Sequence, residues 1–347
     1  MEHTLPKRSP LRWLAQSWKT KPLFSTACAL LVMVVLQTLA LGFDYPSFGD
    51  WFSAWGKNWI NILRNNAGVG IIALGMTFVI ISGGIDLAVG STMVAIGAVV
   101  MVLVDGNANG VLTSLGITGV PAFIIAIAAG ILVGVLLGEI SGTLIAHSGL
   151  PPFIATLGMM KIARSVTQQF MQGVQPAIPK DFLAIANTRI GGEIILPIIY
   201  WLLLAAALYV VSKHTAFGRQ VFAVGSSERT SKLSGVNVKK VKRRVYVLMG
   251  ALVAVTSVIQ IARIGSMDYA NAGSGSEMDA IAAVIIGGTS MSGGRGSVAG
   301  SVLGMLILAV MNNLLNLVGV PPFLREAFKG VIVVAAVLLQ KKDRTAS

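Results

Sequence analysis

The chain has 347 residues, of which 54% are hydrophobic and only 12% charged, and its mean hydropathy is +0.78. That composition excludes a soluble globular domain, which needs far more polar surface, and makes lipid the solvent for most of the sequence. A formal net charge of +13 would suit a nucleic-acid binder, but the basic residues gather at the ends of apolar runs, so topology accounts for the excess and nucleic acid is excluded as a partner.

The basic residues form three clusters: Lys7, Arg8, Arg12, Lys19 and Lys21; the stretch from Lys213 to Arg244; and Lys341, Lys342 and Arg344. The first precedes an apolar run, Leu23–Phe43, that is too long for a secretory signal core of ~7–15 residues, so it reads as a retained first helix. A membrane-crossing helix needs ~20 apolar residues because its backbone must be satisfied internally. About ten stretches meet or approach that length: Leu23–Phe43, Ile60–Ser82, Leu87–Val104, Val120–Gly138, Phe153–Met171, Ile194–Val211, Val245–Ala262, Ala280–Ser290, Val298–Asn316 and Phe323–Gln340.

Expected from this is an all-α, polytopic integral membrane protein with about ten spans in two pseudo-repeated halves. An N-terminal cytoplasmic segment, residues 1–22, leads into a transmembrane domain, 23–340, that includes a cytoplasmic loop, 212–244. Residues 341–347 form a cytoplasmic tail. An even number of spans puts all three basic clusters on the cytoplasmic side of a cell inner membrane. The opposite side receives Asp44, Asp50, Asp105, Asp181, Glu193, Asp268 and Glu277. Ala280–Ser290 is too short to span and is bracketed by glycines, which predicts a half-helix lining a cavity.

The repeat is carried by glycine and serine. Ser82, Gly83 and Gly84 with Gly90 and Ser91 recur at identical spacing as Ser292, Gly293 and Gly294 with Gly300 and Ser301. Glycine beside serine permits close backbone approach and offers polar groups to a water-filled path, so these residues, with Asp86, are the candidate path lining. Asp86 reads either as an acid at a helix start, accepting from free N–H groups, or as a proton relay. Lys161 and Arg164 form a cationic stripe that snorkels to an interface, pairs with Glu139 or lines the pore. Arg325, Glu326 and Lys329 read as a local ion-pair set, and Pro151-Pro152 and Pro321-Pro322 as helix starts. Cys28 is the single cysteine, and His3, His147 and His214 are too scattered for a metal, so neither disulfide nor metal site is expected.

Within the cytoplasmic loop, Ser226 or Ser227 is placed to cap a short helix, with Glu228 in its first turn and Gly235 ending it in the left-handed region. Gly225, Ser226, Ser227, Glu228, Arg229, Lys232, Leu233 and Gly235 thus form a candidate knob for a groove on a cytoplasmic partner, the alternative being a solvated basic loop.

Several of these segments together resemble a known family. Gly75-Met76-Thr77-Phe78-Val79-Ile80 leading into Ser82-Gly83-Gly84-Ile85-Asp86-Leu87-Ala88-Val89-Gly90-Ser91 is similar to the signature of permeases from ribose-type carbohydrate ABC importers. Pro151-Pro152-Phe153-Ile154-Ala155-Thr156-Leu157-Gly158, the loop ending Leu233-Ser234-Gly235-Val236-Asn237-Val238, and Glu277-Met278-Asp279-Ala280-Ile281-Ala282-Ala283-Val284 through Gly287-Gly288-Thr289 resemble further family segments. Glu228-Arg229-Thr230-Ser231-Lys232 departs from the alanines usual there.

The resemblance implies a permease for a small polar solute, a monosaccharide or, alternatively, a branched-chain amino acid or nucleoside. It implies a second permease chain, an extracytoplasmic solute-binding protein and a cytoplasmic ATP-binding subunit. No G-x-x-x-x-G-K-[ST] loop occurs in the chain, so ATP and Mg belong to the partner, and this subunit is expected to bind no cofactor and catalyse nothing. A proton- or sodium-coupled transporter and a passive channel are the rival readings.

Overall fold

The computed structural model describes residues 22–331 and 334. The basic cluster before residue 22, the end of the tenth predicted span and the tail lie outside the described residues. In chain order the helices are α1 (Pro22–Leu41), α2 (Phe48–Ile81), α3 (Val89–Leu103), α4 (Val111–Ser114), α5 (Val120–Ala146), α6 (Pro152–Met171) and α7 (Lys180–Asn187). There follow α8 (Leu196–His214), α9 (Ala216–Ser226), α10 (Glu228–Leu233), α11 (Val238–Ile264), α12 (Ser276–Ile286) and α13 (Val298–Leu317). A last helical stretch covers 322–331 and starts, as expected, at the second proline of its pair. The fold is all-α and polytopic. Its small exception is a hairpin between α7 and α8, with β1 (Arg189–Ile190) antiparallel to β2 (Glu193–Ile194). Gly191 and Gly192, both at positive φ, make its turn.

Among the described residues, six helices are long and apolar enough to cross a membrane: α1, α2, α5, α8, α11 and α13. Nine of the ten predicted stretches nevertheless coincide with helices. The difference has physical causes: α3 has 15 residues and α12 has 11, while α6, with 20, is long enough but too polar.

Helix bounds drawn from hydropathy fell short wherever a helix continued into the interface. α2 begins at Phe48, not Ile60, because the Ser47 Oγ caps it by accepting the Asp50 N–H (3.2 Å), and its first turns carry Trp51, Trp55 and Trp59, a residue type enriched where spans leave the hydrocarbon. At 34 residues it is about 50 Å long, well beyond the ~30 Å hydrocarbon layer. α11 likewise begins at Val238, where the Asn237 Oδ1 accepts the Lys240 N–H (3.0 Å), and its basic first turns precede the apolar stretch.

α2 and α11 are the centre of the bundle, each with 72% of its spanning window buried, while α1 keeps only 11% and presents Leu31, Val32 and Leu39 outward. α2 and α11 run antiparallel. Arg263 bonds the Asn65 carbonyl near one end, Thr256 bonds the Gly68 carbonyl, and Tyr246 donates to the Ile85 carbonyl (3.0 Å) just past the other end of α2.

The segment between α11 and α12 does not stay at the end where α11 finishes. A Cβ on Gly97 would meet Met267, and one on Gly90 would meet the backbone of Gly273 and the Glu277 carboxylate. Since 97 to 90 spans about 10 Å of α3, residues 265–275 fold back alongside it into the bundle. Asp268 and Glu277 therefore do not both sit on the outer rim with Asp44 and Asp105, as an alternating count of spans had placed them. The half-helix α12 follows, as its length predicted. Its surroundings correct the expectation of a cavity: Ala280 to Ile285 are all buried, packed against α13 and α2. A broken helix at membrane depth is tolerated where protein covers it.

Candidate functional site

The two glycine turns meet. Ile81 ends α2, and its carbonyl accepts the N–H of Gly294 from the second copy (2.9 Å). Four residues before that end, the Thr77 hydroxyl donates to the Ser301 Oγ (2.6 Å) in the first turn of α13, whose N-cap is Ser297. Both copies have the same construction: a left-handed glycine, Gly83 at φ 82° and Gly293 at φ 79°, then a helix with a glycine-serine pair in its first turn. A helix enters each turn and another leaves it in the same sense, so the copies run in one direction and lie side by side at one end of the bundle.

The loop helices close against this pair. A Cβ added to Gly225, near the end of α9, would overlap the Ile81 carbonyl oxygen and lie 2.6 Å from the Gly294 nitrogen. A Cβ on Gly293 would come within 2.8 Å of the Gly225 carbonyl oxygen, and one on Gly294 within 2.8 Å of the Ser226 Cα. Three backbone segments far apart in sequence thus come together, backbone on backbone at Gly225 and with the Ser226 hydroxyl against Gly294. Phe78 of α2 stacks on Phe217 of α9, with ring centroids 6.1 Å apart, which extends the contact by one turn.

The capped helix is present beside this joint. Ser227, not Ser226, is its cap: the Ser227 Oγ accepts the Thr230 N–H (3.2 Å), while Ser226 ends α9 and donates back to the Phe222 carbonyl (2.9 Å). Glu228 lies in the first turn and pairs with Lys242 at the start of α11. Gly235 has φ 80° and open space around it. Arg229, Lys232 and Leu233 point outward, Leu233 with 82% of its surface exposed.

A permease-component family described as belonging to the branched-chain amino acid transport system matches residues 58–337. The chain belongs to this permease family. A ribose import permease protein of Escherichia coli K12 is 35% identical over 339 residues, 96% of this chain and 97% of that protein. One from Bacillus subtilis is 37% identical over 294 residues, covering 82% and 85%. A fructose import permease protein of Rhizobium meliloti is 36% identical over 327 residues, covering 91% and 86%. The chain is a membrane transporter subunit of the ABC-permease type, as the motifs indicated.

The other residues singled out in the sequence of this permease fall into two groups. Gly90 and Gly300 pack backbone to backbone, against Gly273 and Gly287, and Ser91 and Ser301 are fully buried beside them. Ser82 is buried too, its hydroxyl donating to the Val79 carbonyl (2.8 Å). Asp86 belongs to the turn: its Oδ1 accepts the Ala88 N–H (2.9 Å), and no side chain caps α3 itself. A small cavity adjoins it, lined in part by Thr92, Ser141 and Gly250. Asp86→Asn keeps the acceptor oxygen, so uptake close to wild type is expected. Asp86→Ala strands a buried N–H at a cost of about 1–3 kcal/mol, read as a lower unfolding temperature in detergent. Loss of uptake in the Asn variant at normal membrane level would restore the proton-relay reading.

Glu139 does not pair with the α6 cations. It holds the Arg243 Nε (3.2 Å) from α11, across the tight α5–α11 contact. Arg164 instead donates to the carbonyls of Tyr269 (3.3 Å) and Ala272 (2.8 Å), fixing the inward-folded segment 265–275. Lys329 bonds Glu326 (2.9 Å), as expected of a local set, but also Asp279 of α12 (3.1 Å), tying the last helical stretch to the half-helix.

Sequence reading missed the seam between α5 and α11. Gly130, Gly134, Gly138 and Gly142 recur every fourth residue on the buried side of α5. A Cβ on three of them would enter the α11 backbone at Gly250, Tyr246 or Arg243. The signal was legible as a run of small residues at helical spacing, which in lipid marks a helix-packing face.

Proposed function

We propose that this chain is the membrane permease of an ATP-driven importer for a small polar solute, a monosaccharide in the first instance. The reading rests on the near full-length likeness to ribose and fructose import permease proteins. In this reading the end bearing α9 and α10 is cytoplasmic, in keeping with the concentration of Lys and Arg from Lys213 to Arg244 there. Both chain termini share that side of the inner membrane.

An ATPase subunit carrying ATP and Mg docks on the exposed Arg229, Lys232 and Leu233 surface of α10. A second permease chain and an extracytoplasmic solute-binding protein complete the assembly. Closure of the ATPase pair then moves α9, and because Gly225 touches both glycine turns directly, the push reaches α2 and α13 together with no flexible side chain to absorb it. The turns act as a joint, and their two settings open the path to alternate sides.

Reconstituted alone in liposomes, the chain is expected to transport nothing on ATP addition. Import of labelled ribose or fructose should begin when an ATPase subunit and a solute-binding protein are added. Uptake by the lone chain under a proton or sodium gradient would replace this reading with a secondary transporter. Leucine import by the complete assembly, in place of sugar, would move the substrate class to amino acids.

A further inference from the structure

α6 turns a polar stripe outward between exposed apolar residues, Ile154 and Leu157 near its start and Ile162, Val166 and Phe170 along its flank. Its buried side carries Ala155, Thr156, Met159, Ala163 and Thr167, packed beside α3 and α5. The side opposite carries Gly158, Lys161, Ser165 and Gln168, all exposed and spaced at three and four residues, which is one straight stripe along a helix. None of the Lys161, Ser165 and Gln168 side chains hydrogen-bonds to another described residue. α5, its neighbour in the chain, shows the ordinary pattern, turning Ile124, Leu132, Leu136 and Ile140 outward. Lys161 and Gln168 of the stripe, with Arg164 and Gln169 beside it, keep this 20-residue helix from qualifying as a span on apolarity. An ammonium and two hydrogen-bonding side chains on an outward face at membrane depth require water, because lipid offers them no partner.

We propose that the stripe of Gly158, Lys161, Ser165 and Gln168 is a wall of the solute path, and that Lys161 sets the charge preference of that path. The proposal rests on the importer reading only for the opposite wall, which the second permease chain supplies. Ser165 and Gln168 offer neutral donors and acceptors suited to hydroxylated solutes. The Lys161 ammonium, unpaired by any carboxylate in the described structure, repels cations, so neutral and anionic hydroxylated solutes pass in preference to cationic ones. Behind the stripe, Arg164 spends its donors on the Tyr269 and Ala272 carbonyls, which leaves Lys161 as the exposed cation of α6.

The test is thiol labelling of the full chain in membranes. Cys28, the single cysteine, is replaced by serine, and Ser165→Cys, Gln168→Cys and, as a lipid-facing control on α5, Leu132→Cys are introduced one at a time. Each is treated with anionic sulfonatoethyl and cationic trimethylammonium-ethyl methanethiosulfonate, with rates taken relative to free cysteine. Both α6 sites are expected to react with the charged reagents while Leu132→Cys does not, the anionic reagent being favoured by roughly tenfold. Lys161→Gln should abolish that preference and Lys161→Glu reverse it.

If both α6 thiols ignore the charged reagents but take a lipid-permeant maleimide, the stripe faces lipid or protein and the proposal fails. Equal rates for the two charges with Lys161 in place would overturn its role in charge selection. Neither result depends on ATP. A failure of the importer reading leaves the labelling pattern intact, so the two failures are told apart.

Discussion

Gly225→Ala is expected to uncouple the permease: uptake per inserted molecule should fall by tenfold or more, corresponding to about 1.4 kcal/mol or more at the joint, while insertion of the spans continues. The added methyl would overlap the Ile81 carbonyl oxygen and lie 2.6 Å from the Gly294 nitrogen, and neither atom is the free end of a side chain. To admit it, α9 must move off α2 or the Gly294–Ile81 hydrogen bond must break. Gly235→Ala is the informative contrast. There the methyl meets nothing, and the cost is the left-handed backbone at φ 80°, about 1–2 kcal/mol confined to an exposed turn. Uptake, ATPase co-purification and membrane level are measured for both variants in the reconstituted assembly. Gly225→Ala with uptake equal to wild type, or Gly235→Ala the more damaging of the two, would remove the joint from the mechanism.

The second large effect is on assembly of the bundle. Gly250→Val places a side chain where α11 meets α5, with its Cβ 2.8 Å from the Gly134 carbonyl carbon and closer still to the oxygen. Helices in lipid gain little from apolar burial against one another and depend on close packing, so separating the pair also loosens Gly138 against Tyr246 and Gly142 against Arg243. The cost should reach about 3 kcal/mol, the upper end for overpacking, and the protein should fail to accumulate in the membrane or unfold at a clearly lower temperature in detergent. Gly56→Ala in α2, with no neighbour for its Cβ, serves as the matched control and should be neutral or slightly stabilising. Normal level and stability in Gly250→Val would mean that α5 and α11 separate without penalty, contrary to the seam.

The sequence by itself determined where the long apolar helices and the capped loop helix lie and that the chain lives in lipid, because these follow from local properties such as apolar runs, proline starts and serine caps; it did not show the short helices α4, α7 and α9. Pro152, Ser227 and Gly235 were readable because a cap or turn depends on residues within four positions. The ends of α2 and α11 were not, since hydropathy falls at the headgroups while hydrogen bonding continues. The repeat of Ser82 to Ser91 in Ser292 to Ser301 was legible as a pattern, and so was its glycine content. That Gly294 bonds Ile81, that Gly225 of a third segment seals against both, and that Arg164 reaches Tyr269 and Ala272 rather than Glu139 were decided only by the tertiary structure. Each of these contacts joins residues dozens to hundreds of positions apart through backbone atoms that every residue carries alike. A glycine's letter says that something comes close; which backbone comes close is settled only when the helices pack.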